Sequence, residues 1–308
     1  MSASRTPPIV DQQNTAPYQL LLAAQRRLYA DVKRSHNRRL VTVMALSVLT
    51  LIVGGAWPGA RSAICGVAAL ALGTVVLVAE LRENKKVGVA ASIQEEFDTG
   101  LFQLDWHPFL VDHPQQRDIT KAALGASYEG LPDWYEPRSV SDLVRPLDVL
   151  VCQRANLDYG VALHRGYATV LGGALAVAAV FATGVALLID FTGWTLLFGR
   201  IAPLTPPAAA VVKEIQAHVD SARKKSSAQD KVAGLWRAGL DDPTAISQAE
   251  LRAAQDCILG YRQTNARVPD RFYWNRRAKN EALMLATCTD LVEQARLRGH
   301  IADDRDEP

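Results

Sequence analysis

Two long runs without an ionisable side chain dominate the first third of this chain of 308 residues. They cover residues 40–57 and 62–79, and each is about the length that an α-helix needs to cross the hydrocarbon core of a bilayer. Only residues 58–61 separate the two runs, and they include a proline and a glycine, which favour a tight turn. The pattern predicts an antiparallel transmembrane helical hairpin over residues 40–79.

A second apolar region, residues 166–212, predicts another hairpin whose two helices differ in character. The first is rich in glycine and alanine, and small side chains allow the close approach by which helices associate in lipid. The second contains Arg200 near its middle and Pro203 shortly after it. An arginine in the membrane core is costly unless it reaches water or a partner, and proline interrupts helical hydrogen bonding. Either Arg200 lines an aqueous path or it lies near the outer interface. Arg200 and Pro203 are therefore candidates for a pore or gate.

Arginine and lysine lie almost entirely on one side of the predicted hairpins. They lie before and after each hairpin, at the ends opposite its turn, whereas the turn of the first hairpin contains only Arg61. Because positively charged flanks remain on the cytoplasmic side, both termini and the central segment are predicted to be cytoplasmic. The chain is therefore expected to be a multi-pass protein of the cell inner membrane, with the lipid bilayer as its first partner.

Outside the hairpins the sequence is polar and mostly helical in pattern. Residues 1–14 are expected to be disordered. Residues 15–39 predict a basic amphipathic helix, which lies either on the membrane surface or against the protein's own cytosolic domain. Residues 80–165 form a cytosolic insert, and residues 213–308 a cytosolic helical C-terminal region. The predicted fold class is an all-α membrane protein: two transmembrane helical hairpins with a mostly helical cytosolic domain built from the central insert and the C-terminal region.

Signatures of catalysis and of cofactor binding are absent from the sequence. There is no Walker phosphate loop, no GxGxxG after a strand, no HExxH and no GxSxG. We therefore expect neither an enzyme nor a bound cofactor. His107 and His113, with Asp112 beside the second, match no common metal-site spacing and indicate a surface loop.

Charge also limits the possible partners. A net charge of +2 gives no overall field that would attract a nucleic acid polymer. The acidic cluster of Glu95, Glu96 and Asp98 has no opposing carboxylates of the kind that a glycoside hydrolase uses. Structural ion pairs or helix capping are favoured for it.

Basic and aromatic residues recur together in the cytosolic segments. Guanidinium groups bind phosphates through two parallel hydrogen bonds, and aromatic rings stack on bases. The combination predicts a pocket for a small nucleotide, with these candidate residues: Trp134, Tyr135, Arg154, Asn156, Arg271 and Tyr273. The alternative is a helical layer in which the arginines pair with acids and the aromatic rings form the core.

Four short runs resemble a known family. They are IQEEFDTGLFQLDW at 93–106, DWY at 133–135, CQRAN at 152–156 and PDRFY at 269–273. Together with the four-span layout, they are similar to the S-4TM family, whose members are predicted to be pore-forming effectors. The residues that carry the resemblance are Gln94, Glu95, Glu96, Phe97, Asp98, Phe102, Trp106, Gln153, Asp270 and Phe272. One departure is the turn that follows residue 103, which reads LDWH here where the family usually has a sequence like LPWN.

The resemblance implies an effector of a bacterial anti-phage conflict system. Such proteins occur with synthases of nucleotide second messengers and are predicted to perforate the inner membrane of an infected cell. This chain is accordingly expected to form a homo-oligomer that opens a pore when a cyclic oligonucleotide binds its cytosolic domain. Two alternatives remain open from the residues. One is a non-conducting scaffold or sensor that recruits a soluble partner; the other is a small-solute transporter, which the scarcity of polar residues in the spans disfavours.

Overall fold

The computed structural model describes residues 8–56, 59, 61–188 and 205–302, and within them the chain is helical. These ranges also contain the 3₁₀ segments Arg138–Asp142 and Pro243–Ala245 and an isolated antiparallel bridge between Leu143 and Ile301. The helices, numbered in chain order, are α1 Ile9–Gln12, α2 Ala16–Ala56, α3 Arg61–Phe102, α4 Gln116–Ala123, α5 Leu147–Leu188, α6 Thr205–Asp241, α7 Gln248–Thr264 and α8 Asp270–Leu297.

The helices α2 and α3 form an antiparallel pair. Ser35 Oγ donates a hydrogen bond to Glu83 at 2.9 Å, and Arg39 contacts Glu80 at 2.6 Å and Glu83 at 3.2 Å. The residue numbers of the contacting positions increase along α2 as they decrease along α3, so the two helices run antiparallel. No glycine or proline interrupts α2 between Pro17 and Gly54, so one helix continues from the segment predicted to be amphipathic into the first apolar run.

The helices α5 and α6 form the second antiparallel pair. His164 Nδ1 lies 2.9 Å from His218 Nδ1, and the side chain of Gln229 donates to Asp158. Gly160 faces Lys225 so closely that an added Cβ would lie 2.5 Å from the lysine Nζ. These contacts place residues 158–164 of α5 opposite residues 229–218 of α6.

One hydrophobic core joins both helix pairs with α7 and α8. Its largest fully buried side chains include Phe97 from α3, Leu150 from α5 and Leu251 from α7. Residues 21–24 of α2 are buried in the same core. The N-terminal part of α2 thus packs on the protein's own helices. Of the two placements left open for the amphipathic helix, the membrane surface and the protein's own helices, this is the second. We call residues 8–39, 80–165 and 213–302 the helical layer.

Residues 9–12 are helical, although the sequence predicted disorder up to residue 14. Ile9 and Val10 are buried, and the side-chain amide of Gln13 is completely enclosed. That amide accepts a hydrogen bond from Tyr135 N at 2.8 Å and donates one to Tyr135 O at 3.2 Å. Short-range polarity misled the prediction because the partner of Gln13 lies far along the chain.

One helix in the described residues, Leu147–Gly184, is long and apolar enough to cross a membrane. Only 6% of its most apolar window is buried, whereas the core helix of a soluble protein is mostly buried. The all-helical part of the predicted fold class is confirmed. The two transmembrane hairpins remain a prediction, and most of the fourth predicted span lies outside the described residues, at 189–204.

The close packing of Gly239 on α6 gives a test of this fold. A Cβ added there would lie 2.9 Å from Leu147 Cδ2 and 3.3 Å from Ile246 Cγ1. We expect Gly239→Ala to lower the free energy of unfolding by about 1–2 kcal/mol, because overpacking costs more than the gain in helix propensity. Denaturant titration of the detergent-solubilised protein measures this effect.

The matched control lies on the same helix. A Cβ at Gly234 meets nothing within 4 Å, so Gly234→Ala should leave the protein unchanged or stabilise it by up to about 1 kcal/mol. If both alanine variants gave the same change, the close approach of α6 to Leu147 and Ile246 would be wrong.

Candidate functional site

A cavity of about 290 Å³ lies in the helical layer, where α2, α3, α5 and α8 meet the segment 130–136. Helix α5 supplies Asn156 and Tyr159, and α8 supplies Tyr273 and Arg277. The other walls come from Arg26, Gln94, Gly130, Pro132, Asp133, Trp134, Tyr135, Glu136, Ala155, Glu281 and Met284. The cavity therefore combines aromatic rings, two arginines and three carboxylates.

The aromatic side chains of the cavity come from separate elements. The rings of Tyr159 and Tyr273 lie 5.8 Å apart between centroids, and Lys33 Nζ lies 4.9 Å from the Tyr273 ring centroid. Trp134 is half-buried in the segment before the 3₁₀ turn. Rings placed in this way offer flat faces on which a planar ligand can stack.

Both arginines of the cavity already have partners. Arg277 Nε donates to Glu281 Oε1 at 2.6 Å, and Arg26 donates to the carbonyl oxygens of Glu129 at 2.6 Å and Gly130 at 3.1 Å. Burial lowers the pKa of Arg26 below its ordinary value, and the neighbouring charge of Arg277 adds to that effect. An anionic ligand would therefore have to exchange with Glu281 for the Arg277 guanidinium.

A buried ionic network lies directly behind the cavity wall. Tyr135 Oη donates to Asp98 Oδ1 at 2.7 Å, and Arg262 Nη2 lies 2.6 Å from Asp98 Oδ2. Gln255 Nε2 donates to both Asp98 and Glu95 at 2.9 Å, and Arg252 forms an ion pair with Glu95. This arrangement bears out the structural ion pairs favoured for the acidic cluster at Glu95 and Asp98.

The network changes the acidity of its members. Burial raises the pKa of Tyr135 well above its ordinary value, and the negative charge of Asp98 raises it further. Burial alone would lower the pKa of Arg262, but Asp98, Tyr135 and Glu95 raise it above its ordinary value. Tyr135 therefore stays a neutral donor and Arg262 stays charged, so the network is a fixed support for the cavity.

Four of the six predicted ligand-binding residues line the cavity: Trp134, Tyr135, Asn156 and Tyr273. Arg154 and Arg271 are not among its walls. Arg154 Nε lies 3.9 Å from Asp158, and Arg271 is exposed at the start of α8. Positions two apart on a helix point in different directions, so Arg154 cannot share a face with Asn156.

The cations of the cavity, Arg26 and Arg277, were not among the predicted residues. Arg277 follows Tyr273 by four positions, and residues i and i+4 of a helix share a face. That spacing was the signal available in the sequence. Arg26 carried no such signal, because α2 meets the 129–130 segment only through the tertiary fold.

Known proteins are similar to this chain along nearly its whole length. A model of the SMODS-associating 4TM effector domain, or S-4TM, matches residues 7–291. The chain belongs to the S-4TM family. A relative that is 23% identical over 303 residues, spanning 94% of this chain and all of its own length, is a probable CBASS effector molecule of Bacillus cereus (strain VD146). No solved structure matches the chain significantly. S-4TM membership implies a membrane protein, in agreement with the exposed apolar half of α5.

Within this S-4TM chain, the residues of the 93–106 run serve different purposes. Gln94 lines the cavity, and Glu95 and Asp98 belong to the ionic network. Phe97 and Phe102 are fully buried in the core. The run therefore joins the cavity to the core of the helical layer.

The remaining residues that carried the S-4TM resemblance lie around the same layer. Gln153 Nε2 donates to Leu251 O at 2.9 Å, and Trp106 Nε1 donates to Val111 O at 2.9 Å. Asp270 pairs with Lys33 at 3.1 Å, and the ring of Phe272 lies 5.1 Å from that of Tyr167. Glu96 is partly buried, and this partial burial raises the pKa of its carboxyl group above the ordinary value. None of these five side chains lines the cavity.

Two other predictions can be placed only in part. The pore or gate candidates Arg200 and Pro203 lie outside the described residues. The loop that contains His107 and His113 is described, and there the His113 ring stacks on Trp106 with 3.9 Å between centroids. In the ranges that the structure covers, no three His, Cys, Asp or Glu side chains are grouped to hold a metal ion.

Proposed function

We propose that this S-4TM protein is the membrane effector of a bacterial anti-phage conflict system. It oligomerises in the inner membrane and breaks membrane integrity, by forming a pore, when a nucleotide second messenger binds the cavity of the helical layer. Family membership and the relative described as a probable CBASS effector molecule support the effector role. The transmission of the signal is supported by the structure of α5.

The observation that carries the proposal is the continuity of α5 from the cavity into the apolar region. Asn156 and Tyr159 line the cavity, and Val177, Val180 and Phe181 lie further along the same helix with most of their surface exposed. At 1.5 Å per residue, Asn156 and Phe181 are about 38 Å apart along the helix axis. A ligand that tilts or rotates α5 at the cavity moves its apolar half as a rigid rod, which is a physical route for coupling.

The apolar half of α5 also offers a surface for assembly. A Cβ added at Gly172, Gly173 or Gly184 would meet nothing within 4 Å. Small residues of this kind allow close helix–helix contact in lipid. One chain alone has too few helices to surround a pore. Several copies that assemble through α5 could surround one together.

The apolar ends of α2 and α3 support the proposed first hairpin. Met44 and Ile52 on α2, and Leu70 and Leu77 on α3, are exposed large hydrophobic side chains. Exposed apolar surface of this extent is stable in lipid and unfavourable in water. With α5 it fits the proposed multi-pass arrangement, in which both termini and the helical layer are cytoplasmic.

The cavity suits a nucleotide through its rings and through Arg277. Trp134 and Tyr273 can stack on bases, and the amide of Asn156 can bind a base edge. A phosphate that replaces Glu281 at Arg277 forms charge-assisted hydrogen bonds and releases the carboxylate. Ligand binding would then change the contact between positions 277 and 281 of α8, which packs against α5.

A second candidate function is favoured by the charge balance of the cavity. Its carboxylates, Asp133, Glu136 and Glu281, outnumber its arginines, Arg26 and Arg277. This balance suits a basic segment of a soluble protein better than a polyanion. In that case the protein is a non-conducting scaffold or sensor that recruits its partner to the membrane.

Dye release from vesicles separates the two candidates. Purified full-length protein is reconstituted into liposomes loaded with a self-quenching dye and treated with cyclic di-AMP, cyclic di-GMP or a cyclic triadenylate. We expect one of them to trigger release. Tyr273→Ala should raise the ligand concentration for half-maximal release by about tenfold or more, because a base–aromatic stack is worth ~1–3 kcal/mol.

Phe109→Ala is the control for that variant, since Phe109 is 93% exposed and does not line the cavity. It should respond to the ligand as the wild type does. Ligand binding without release would favour the sensor. Equal responses of the Tyr273→Ala and Phe109→Ala variants would contradict the assignment of the cavity as the ligand site.

A further inference from the structure

A second concave surface lies between α5 and α6, apart from the cavity described above. It is a groove of about 670 Å³ that opens to the outside along one side. Helix α5 contributes Arg165, Ala168 and Thr169, and α6 contributes Ile215, Val219, Ala222, Arg223, Ser226, Ser227 and Asp230. On each helix these positions recur at spacings of three and four, so they form one continuous face.

The two ends of the groove differ in chemistry. The antiparallel register of α5 and α6 places Ala168 and Thr169 near Ile215 and Val219, at the end that leads to the apolar half of α5. The opposite end carries Arg223 and the hydroxyl groups of positions 226 and 227. The groove is therefore apolar toward the proposed membrane and polar toward the helical layer.

The cations of the groove are available to another anion. Arg165 is exposed and forms no salt bridge within the described residues. Arg223 pairs with Asp220 at 3.5 Å, but both side chains are mostly exposed, and such a pair contributes little. Arg165 lies five positions before Val170, where exposed apolar surface begins on α5.

We propose that this groove binds the headgroup of an anionic phospholipid from the cytoplasmic leaflet. The phosphate lies between Arg165 and Arg223, and the first part of an acyl chain follows Ala168, Ile215 and Val219 toward the bilayer. The proposal rests on the membrane placement of α5 given above. A soluble anion would use only the polar end of the groove, whereas a lipid uses both ends.

Asp230 does not oppose this assignment. It lies seven positions beyond Arg223 on α6, about 10 Å further along the helix axis at 1.5 Å per residue. The phosphate therefore meets two cations before it meets the carboxylate.

Phospholipid that co-purifies with the protein tests the site. Full-length protein is extracted in mild detergent and washed extensively, and the retained lipid is quantified by class with mass spectrometry. We expect enrichment of phosphatidylglycerol or cardiolipin over phosphatidylethanolamine, relative to the source membrane. The double variant Arg165→Gln/Arg223→Gln should retain at least about tenfold less anionic lipid, because each basic residue near a membrane contributes ~1 kcal/mol.

The control is Arg237→Gln, which changes an exposed arginine on the same helix but outside the groove. It should retain lipid as the wild type does. Equal retention by the double variant and the wild type would overturn the proposal. Added inorganic phosphate should leave the lipid bound, and its displacement by phosphate alone would also overturn the assignment to a lipid.

Dye release from vesicles keeps this inference separate from the proposed function. Wild-type protein that retains anionic lipid but never releases dye contradicts pore formation and supports the groove. Wild-type protein that releases dye but retains no anionic lipid contradicts the groove and supports the pore. Thermal unfolding of the double variant, expected to match that of the wild type, excludes misfolding as the cause of lipid loss.

Discussion

Replacing Arg262 with methionine is expected to lower the free energy of unfolding by about 3–5 kcal/mol, because removing one partner of a buried ion pair leaves the other charge unpaired. Arg262 Nη2 lies 2.6 Å from Asp98, and Nη1 lies 3.7 Å from Glu95. Both carboxylates are almost completely buried. In the variant, Asp98 keeps Tyr135 and Gln255 as hydrogen-bond donors but has no cation beside it.

Denaturant titration of the detergent-solubilised protein measures the change, and Trp236, which is buried in the same core, reports it by fluorescence. Arg237→Met, at an exposed position of α6, is the control and should change stability by less than about 0.5 kcal/mol. Adding Asp98→Asn to Arg262→Met should recover part of the loss, because an amide removes the unpaired charge. A loss below about 1 kcal/mol in the single variant would show that the network does not stabilise the layer.

The long helices could be predicted from the sequence because their signals are local. Uncharged runs and helical periodicity mark α2, α3 and the latter part of α5, and no glycine or proline breaks α2 between Pro17 and Gly54. The boundary predicted at residue 39 is a change in composition rather than a break in the helix. The amphipathic segment and the apolar segment follow one another along the same helix, α2.

The partners of buried charges could not be predicted from the sequence. Glu95 and Arg252 are 157 positions apart, and Gln255 lies as far from Asp98. Nothing in a single sequence marks one distant arginine rather than another as the partner of a given carboxylate. The acidic cluster could therefore be read as structural, but its cations could not be named.

The candidate site was predicted in part for a geometric reason. The rings of Trp134 and Tyr273 were identified by residue type, and the fold brings them together. Arg154 and Arg271 lie two positions from Asn156 and Tyr273, and on a helix that spacing places side chains on different faces. Applying the i, i+4 rule to Tyr273 selects Arg277 instead of Arg271.

Replacing Lys225 with methionine is expected to stabilise the protein at neutral pH, by on the order of 3 kcal/mol. Lys225 is 8% exposed, and no salt bridge to it occurs in the part of the chain that the structure describes. Burial lowers the pKa of Lys225 from its ordinary 10.5 to about 8, and the nearby charge of Arg262 contributes. The folded state therefore holds this proton less tightly than the unfolded chain does.

The sign of the pH dependence follows from that difference. Between pH 8 and 10.5 the unfolded lysine is still protonated while the folded one has lost its proton, so the wild type gains stability as pH rises through this window. Below pH 8 the full cost of the buried ammonium is present. The advantage of Lys225→Met should accordingly be largest below pH 8 and vanish above 10.5.

Denaturant midpoints of the wild type and the variant at a series of pH values measure this difference directly. Lys224→Met is the matched control, because Lys224 is the exposed neighbour of Lys225 on the same helix. It should change stability by less than about 0.5 kcal/mol at every pH. Methionine keeps the unbranched shape that packs against Gly160, so no new clash offsets the gain. If Lys225→Met instead destabilised the protein at neutral pH, the ammonium group would have a binding partner in the folded state. That interaction would then stabilise the packing of α6 against α5.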